Sequence, residues 1–317
     1  MKSNFTKVLV TGCAGFIGSN LVKKLINKNY FVTGVDNFRT GKKKFIQNFL
    51  DKKNFEFKKI DLLIKNDLHT LFNQKFDMVF HFAANADVSK GYKNPLNDLK
   101  YNTIMTSRLL EECRKKKIKK FIFCSTGSIY GETKIIPTPE DVNFPIQTSM
   151  YGASKLACEG LIQAYSEAYD LKSYIYRFVS ILGPNYSHGH VIDFYKKLHK
   201  NSNELHVLGD GNQKKSYLHV DDCINAIFMT IKNEKKKINI FNLGTDETIT
   251  LKESVKIICK NLNLKPIILY SGGNKGWIGD VPHIHLKINK IKKVGWKPKY
   301  SIKESILDTL NYLKNEK

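Results

Sequence analysis

Arginine is almost missing from this chain. Of 52 lysine and arginine residues, only Arg39, Arg108, Arg114 and Arg177 are arginine; the other 48 are lysine. The formal net charge is nevertheless +23, which alone would suggest a nucleic-acid partner. Nucleic-acid readers lean on arginine for bidentate contacts to bases and phosphates, and a lysine ammonium cannot make them. The lysines are spread over the whole chain. Their densest group, Arg114-Lys115-Lys116-Lys117 with Lys119-Lys120, falls where a helix is expected to end, and cations there complement the helix dipole. Nucleic-acid binding is therefore not expected. Long apolar runs are missing as well. No stretch reaches the roughly 18 residues of a membrane-spanning helix. The apolar start Val8-Leu9-Val10 is too short for a signal-peptide core, so a cytoplasmic location is expected. The six cysteines (Cys13, Cys113, Cys124, Cys158, Cys223, Cys259) are scattered without a C-x-x-C pair. That spacing supports neither a disulfide framework nor a zinc site, and no metal is expected.

What is present is enough for a packed core: 42% of the 317 residues are hydrophobic. That length fits two domains, or one large α/β domain with an appendage. Short apolar, β-branched or aromatic runs predict strands at residues 8–10, 31–35, 55–60, 78–82, 121–124 and 174–178. Helical patterns lie between them at 16–27, 67–72, 99–116 and 150–169. Strands alternating with helices build βαβ units and a parallel sheet covered on both faces. After Gly183-Pro184 the rhythm becomes irregular. Helices are expected at 191–199, 221–232, 251–261 and 302–315, strands at 205–208 and 238–242, and a turn at Gly209-Asp210-Gly211-Asn212. The chain divides near residue 180, into domains 1–180 and 181–317, with parts of the later chain returning to the first.

Val8-Leu9-Val10-Thr11-Gly12-Cys13-Ala14-Gly15-Phe16-Ile17-Gly18 reads as a buried strand, a glycine loop and a helix start. A Gly-x-x-Gly-x-x-Gly string alone is weak evidence, and its place between strand and helix makes it specific. Gly12 permits a tight turn, Gly15 lets the backbone approach a pyrophosphate, and Gly18 lets helix and strand pack closely. The N–H groups and dipole at the helix start stabilise phosphate charge. Asp36 closes the second strand, where an acid accepts a hydrogen bond from the adenosine ribose 2′-hydroxyl. A carboxylate there repels a 2′-phosphate, so NAD is expected over NADP, although Arg39 nearby points the other way.

In Ser149-Met150-Tyr151-Gly152-Ala153-Ser154-Lys155, Tyr and Lys stand at i and i+4 of a predicted helix, on one face. The Lys155 ammonium favours the phenolate of Tyr151, as does the charge of an oxidised nicotinamide. Tyr151 can then act as general base toward a hydroxyl. Ser125 and Thr126 end the fifth strand, on the side where doubly wound sheets bind ligands.

Together the glycine loop, Asp36, Tyr151 and Lys155 resemble the extended short-chain dehydrogenases/reductases, specifically the nucleotide-sugar epimerase/dehydratase family. His81-Phe82-Ala83-Ala84-Asn85-Ala86-Asp87-Val88 and Phe121-Ile122-Phe123-Cys124-Ser125-Thr126-Gly127-Ser128-Ile129-Tyr130-Gly131 are similar to its fourth- and fifth-strand motifs. Arg177-Phe178 with Gly183-Pro184, and Lys215-Ser216-Tyr217-Leu218-His219-Val220-Asp221-Asp222, resemble motifs of its substrate half. The resemblance implies a Rossmann-type doubly wound parallel sheet with a smaller α/β C-terminal substrate domain. It implies catalysis by Thr126, Tyr151 and Lys155. NAD would be held by Gly12, Gly15, Phe16, Ile17, Gly18, Asp36, Asn37, Asp61, Leu62, Phe82, Ala83, Ala84, Asn102 and Phe178, with Tyr151 and Lys155. The substrate would meet Asp87, Ser125, Thr126, Ser180, Val191, Val207, Lys215, Tyr217, Lys275 and Asp280. Lys215 stands where the family often has an arginine for the diphosphate, and Ser180 where many members have an asparagine. A homodimer through the helices at 99–116 and 150–169 is also implied.

The residues after Thr126 choose among the family's reactions. Its 4,6-dehydratases carry Asp-Glu there, and its decarboxylases usually keep a Glu at the second position. Here stand Gly127 and Ser128, neither an acid or base at neutral pH. The expected activity is therefore 4-epimerisation of a nucleotide sugar, of the UDP-glucose/UDP-galactose type, through transient oxidation at C4. A net oxidoreductase or dehydratase of the same fold is the alternative. A non-catalytic NAD-sensing or RNA-binding protein is the alternative from another class, opposed by the intact Thr126, Tyr151 and Lys155. The excess positive charge would draw in an anionic nucleotide.

Overall fold

A computed structural model describes residues 5–86, 88, 91–143, 146–234 and 236–316. The chain forms two compact units. The first comprises Met1–Ser125, Ala153–Tyr176 and Asn233–Ile240; the second comprises Thr126–Gly152, Arg177–Lys232 and Phe241–Lys317.

In chain order the described elements begin β1 (Lys7–Thr11), α1 (Phe16–Asn27), β2 (Phe31–Asp36), β3 (Phe55–Lys59), α2 (Lys65–Leu71) and β4 (Met78–His81). They continue α3 (Pro95–Asp98), α4 (Met105–Lys115), β5 (Lys120–Thr126), α5 (Met150–Ala168), β6 (Lys172–Phe178) and β7 (Ser180–Leu182). Next come α6 (His190–Lys200), β8 (Glu204–Val207), β9 (Lys214–Lys215), β10 (Tyr217–His219), α7 (Val220–Asn233), β11 (Ile238–Leu243) and β12 (Ile249–Thr250). The chain closes with α8 (Leu251–Leu262), β13 (Ile267–Tyr270), β14 (His283–Ile284), α9 (Asn289–Lys293) and α10 (Ile302–Asn315).

Seven strands form one sheet in the order β11-β6-β5-β4-β1-β2-β3, and the pairings from β5 across to β3 are parallel. This is the doubly wound arrangement expected from the strand–helix alternation. Residues alternate across a strand, so Leu9 faces one side of β1, Val8 and Val10 the other, and all three are fully buried. Burial on both faces is why the strands read as unbroken apolar runs. Leu9 joins Val79, Phe121, Phe123 and Ile175 under Leu71 of α2, Leu109 and Leu110 of α4, and Cys158 and Ile162 of α5. Each buried leucine contributes about 2 kcal/mol of apolar transfer. In α1 the stripe Phe16, Leu21, Val22, Leu25, Ile26 is buried, the spacing of a one-sided helix.

The helix expected over 99–116 is instead made of two pieces, with the short α3 running into them. Pro95 opens α3, where its missing N–H costs nothing; Leu99–Ile104 follows as a π-helical segment, and α4 completes the run. Such widened turns turn a side chain off the regular register. Here Asn102 is buried inside the π segment.

In the second unit β7 pairs with β10, β9 lies between β12 and β14, and β8 pairs with β13. These two- to four-residue strands were not predicted apart from β8, because they carry too little periodicity. Helices α6, α8 and α10 pack together. Both α8 and α10 start with reciprocal capping boxes, Thr250 with Glu253 and Ser301 with Glu304, each satisfying two N–H groups at the helix start. No helix among the described residues is long and apolar enough to cross a membrane.

Candidate active site

The glycine loop is built by close approach. Gly12 has φ +70°, and a Cβ there would lie 2.6 Å from the backbone nitrogen of Ala83. At Gly18 a Cβ would sit 2.1 Å from the carbonyl oxygen of Gly12. Glycine is thus imposed at both positions by packing. Gly15 is less crowded, its nearest neighbour being the Gly12 oxygen at 3.2 Å. It stands at the N-cap of α1 without a capping side chain, and the first turn carries no acid. A helix start without a capping side chain, with its dipole, suits a pyrophosphate, and Phe16, Ile17 and Gly18 form that turn. Asp36, at the end of β2, accepts the N–H groups of Ala14 at 3.0 Å and Phe38 at 2.8 Å. Burial pushes its carboxyl up and those two N–H groups hold it down. A carboxylate has lone pairs to spare beyond these two bonds, so Asp36 can still accept from a ribose diol. The residues present therefore fit a dinucleotide.

Around this loop, the Asn37 amide donates to Asp61 at 3.1 Å, tying the ends of β2 and β3. Leu62 turns its side chain into the hydrophobic core. The N–H groups of Phe82 and Ala83 each donate to Thr11 Oγ1 at 3.2 Å, and Ala84 beside them is half-buried. Asn102 accepts the N–H of Asn85 at 2.8 Å and donates to Ser154 Oγ at 2.9 Å. It therefore braces α5 one residue before Lys155. Phe178 is buried at the end of β6.

A network that sequence reasoning missed links these parts. His81 is buried, with Nδ1 2.8 Å from Thr11 Oγ1 and Nε2 3.0 Å from Thr106 Oγ1. Thr11 Oγ1 already accepts two N–H groups, so its proton goes to Nδ1. The Nε2–H then donates to Thr106. Burial, with the Lys155 charge adding to it, lowers the His81 pKa to about 3, so the ring is neutral. Its place in the fourth-strand motif was the available signal.

Tyr151 and Lys155 both fall in the opening turns of α5. Lys155 is buried, donates to the carbonyl of Cys124 at 2.9 Å and lies 4.6 Å from the Phe123 ring centre. Its ammonium has three donors in all. Ser125 is buried and donates to the buried carboxylate of Glu159, which commits its one proton to the core of the first unit. Glu159 gave no sequence signal.

Thr126 begins a short turn, Gly127–Tyr130. Its hydroxyl accepts the N–H of Ser128 at 3.1 Å and donates to Ser128 Oγ at 3.2 Å. Arg177 donates to the Tyr130 hydroxyl at 2.7 Å, which in turn donates to Asn242 at 2.8 Å, so the turn is fixed. Ser149 caps α5 by accepting the N–H of Gly152 at 3.0 Å. A Cβ on Gly152 would meet the Ser128 oxygen at 2.7 Å. The glycine after Tyr151 thus lets the start of α5 lie against the turn that follows Thr126.

Elsewhere in the second unit, Lys215 and Asp280 pair with each other at 2.6 Å, their side chains 15% and 2% exposed. Gly276 donates its N–H to the other carboxylate oxygen at 3.0 Å, and Lys215 lies 5.1 Å from the Trp277 ring centre. Lys275 instead forms an exposed ion pair with Glu132, a partner that nothing in the sequence indicated. Ser180 is exposed and stands opposite Tyr217 in the β7–β10 pair. Tyr217 is buried, and burial with the nearby Asp280 raises its pKa. Val191 and Val207 are fully buried on α6 and β8. Asp87 lies outside the described residues.

The NAD dependent epimerase/dehydratase family matches residues 8–244, and the chain belongs to that family. A curated relative in Methanocaldococcus jannaschii, provisionally named a UDP-glucose 4-epimerase, is 36% identical over 97% of this chain and 98% of its own. The crystal structure of UDP-glucose 4-epimerase from Thermotoga maritima with UDP-glucose is 32% identical, with a TM-score of 0.87 over 97% of this chain and 98% of that one. UDP-glucuronic acid 4-epimerase from Bacillus cereus, in complex with UDP-glucuronic acid and NAD, is 29% identical. Its TM-score is 0.89 over 97% of this chain and 99% of the other. The chain is thus an enzyme of this family with a Rossmann-type sheet, and its cofactor is NAD.

Proposed function

We propose that the enzyme is a UDP-hexose 4-epimerase, with the first unit carrying NAD and the second the nucleotide sugar. The observation that carries the proposal is the turn after Thr126. Ser128 lies against the start of α5 at Gly152, the residue after Tyr151, while Gly127 faces Phe178 and Leu286, and neither supplies an acid for elimination or decarboxylation. The relatives named for UDP-glucose and UDP-glucuronic acid support the same choice.

NAD, when bound, supplies the hydride acceptor and returns the hydride. The chain's residues do the rest. Tyr151 removes the proton of the C4 hydroxyl and later gives it back. Lys155 would hold the phenolate and the nicotinamide ribose with its ammonium. Thr126 hydrogen-bonds the reacting oxygen through its hydroxyl. Lys215 and Asp280 receive the diphosphate and the nucleotide ribose, and Ser180 and Tyr217 line the sugar pocket. Inversion at C4 would leave no net redox change. A homodimer through α4 and α5 belongs to the same proposal, supported by the exposed Leu99, Ile104 and Met150 around those helices.

The test is to incubate the enzyme with UDP-glucose, UDP-N-acetylglucosamine and UDP-glucuronate and follow C4 inversion by NMR. Inversion of at least one is expected. Stoichiometric NADH consumption with no inversion would establish a net oxidoreductase instead.

A further inference from the structure

In the sheet, β1 lies between β4 and β2. The chain leaving β2 and the chain leaving β4 therefore flank the crevice above the C-terminal end of β1, where a doubly wound sheet holds its dinucleotide. Two side chains close the distance between those flanks. Arg39 comes from the loop after β2, three residues beyond Asp36. Tyr101 comes from the π-helical segment after β4, one residue before Asn102. The Arg39 guanidinium carbon lies 3.7 Å from the centre of the Tyr101 ring, well inside the roughly 6 Å range of a cation–π contact.

Both partners are anchored from behind. The Arg39 N–H donates to Asn37 Oδ1 at 2.9 Å. Phe38 is held at φ 60° with its ring 5.2 Å from that of Phe57. Gly41 folds the same loop back onto Asp36, where a Cβ would come within 2.7 Å of the carboxylate. On the other flank, Asn102 fixes the π segment to Asn85 and Ser154. The Lys100 ammonium stands 5.6 Å from the same Tyr101 ring. A guanidinium suits this place because it is flat, permanently charged and weakly hydrated.

We propose that Arg39 and Tyr101 are cofactor-holding residues, a latch that spans the crevice and keeps NAD on the glycine loop. The start of α1 would hold the pyrophosphate and Asp36 the ribose, and the stacked pair bridges the two flanks of that same crevice. Release requires Arg39 to swing off the ring. An enzyme that regenerates its NAD at every turnover gains from slow release, and an exposed stacking contact provides it without covalent change.

The test is to load the protein with labelled NAD, chase with excess unlabelled NAD and measure the dissociation rate. Arg39→Ala and Tyr101→Leu are expected to speed release by about three- to thirty-fold, the range set by cation–π energies. Tyr101→Phe keeps the ring and is expected to stay within about twofold of the parent. Thermal unfolding of the cofactor-stripped Arg39→Ala variant should match the parent, which separates a latch from a fold defect. Unchanged release from Arg39→Ala and Tyr101→Leu would overturn the proposal, as would equal acceleration in Tyr101→Phe and Tyr101→Leu. The readout is cofactor retention alone, so it stands whether or not a given nucleotide sugar is epimerised.

Discussion

Removing the ammonium of Lys215 would strand the carboxylate of Asp280, and the cost follows from the geometry. The pair is 2.6 Å apart, with Asp280 only 2% exposed. At an effective dielectric of about 20 their attraction is on the order of 6 kcal/mol, much of it offset by the desolvation of both charges. Lys215→Met keeps most of the shape and loses the charge, leaving Asp280 with the single N–H of Gly276. Breaking a buried pair in this way costs about 3–5 kcal/mol. Asp280→Asn is expected to be similarly harmful, because it leaves a largely buried ammonium. The double variant K215M/D280N removes both charges and is expected to cost less than either single change. Hydrogen exchange in the surrounding strands reports this locally, without requiring the chain to unfold in one step. The useful amides are Lys214, which donates to the carbonyl of Pro282, and Ser216, which donates to that of Ile284, both at 2.8 Å. Their protection should fall about a hundred-fold or more in the single variants and recover substantially in the double. A double variant no better protected than the singles would refute the electrostatic account.

Gly18→Ala should abolish NAD retention and lower thermal stability, since its Cβ would lie 2.1 Å from the Gly12 oxygen; wild-type NAD occupancy would contradict the packing account. Gly160→Ala on the same assay is the opposite case. That helical position has nothing within 4 Å of the added carbon, so a gain of about 0.5–1 kcal/mol is expected. His81 predicts a pH dependence. Its folded pKa of about 3 lies below the ordinary 6.5, so between those values the unfolded chain binds more protons. Stability is then full above pH 6.5 and falls as the pH drops toward 3, by up to about 5 kcal/mol from this group. His81→Asn should flatten that slope in thermal melts from pH 7 to 4, and an unchanged slope would assign it to other groups. Tyr151→Phe should lower turnover by about a hundred-fold or more while leaving NAD bound, measured as protein-bound absorbance; loss of NAD binding would show a structural role.

The local structure of the glycine-loop segment was legible directly. The strand predicted at 8–10 is Lys7–Thr11, and the helix predicted at 16–27 is Phe16–Asn27. These signals are local: an apolar run, glycines at fixed spacing, and a helical stripe. The helix expected over 99–116 was less well read. Its π segment is associated with the bonds Asn102 makes to Asn85 and Ser154, partners 17 and 52 residues away.

By itself the sequence determined the order of strands and helices, the glycine loop with Asp36, and the placing of Tyr151 and Lys155 on one helix, because each depends on neighbours within a few turns. Tertiary structure alone decided that Ser125 serves Glu159, that Lys215 and Asp280 answer each other, that Lys275 goes to Glu132, and that His81 joins Thr11 to Thr106. It also decided that Arg39 lies on Tyr101. Those partners are 25 to 143 residues apart in the chain. Their pairing follows from which strand ends the sheet brings together, and no local pattern of residues encodes that order.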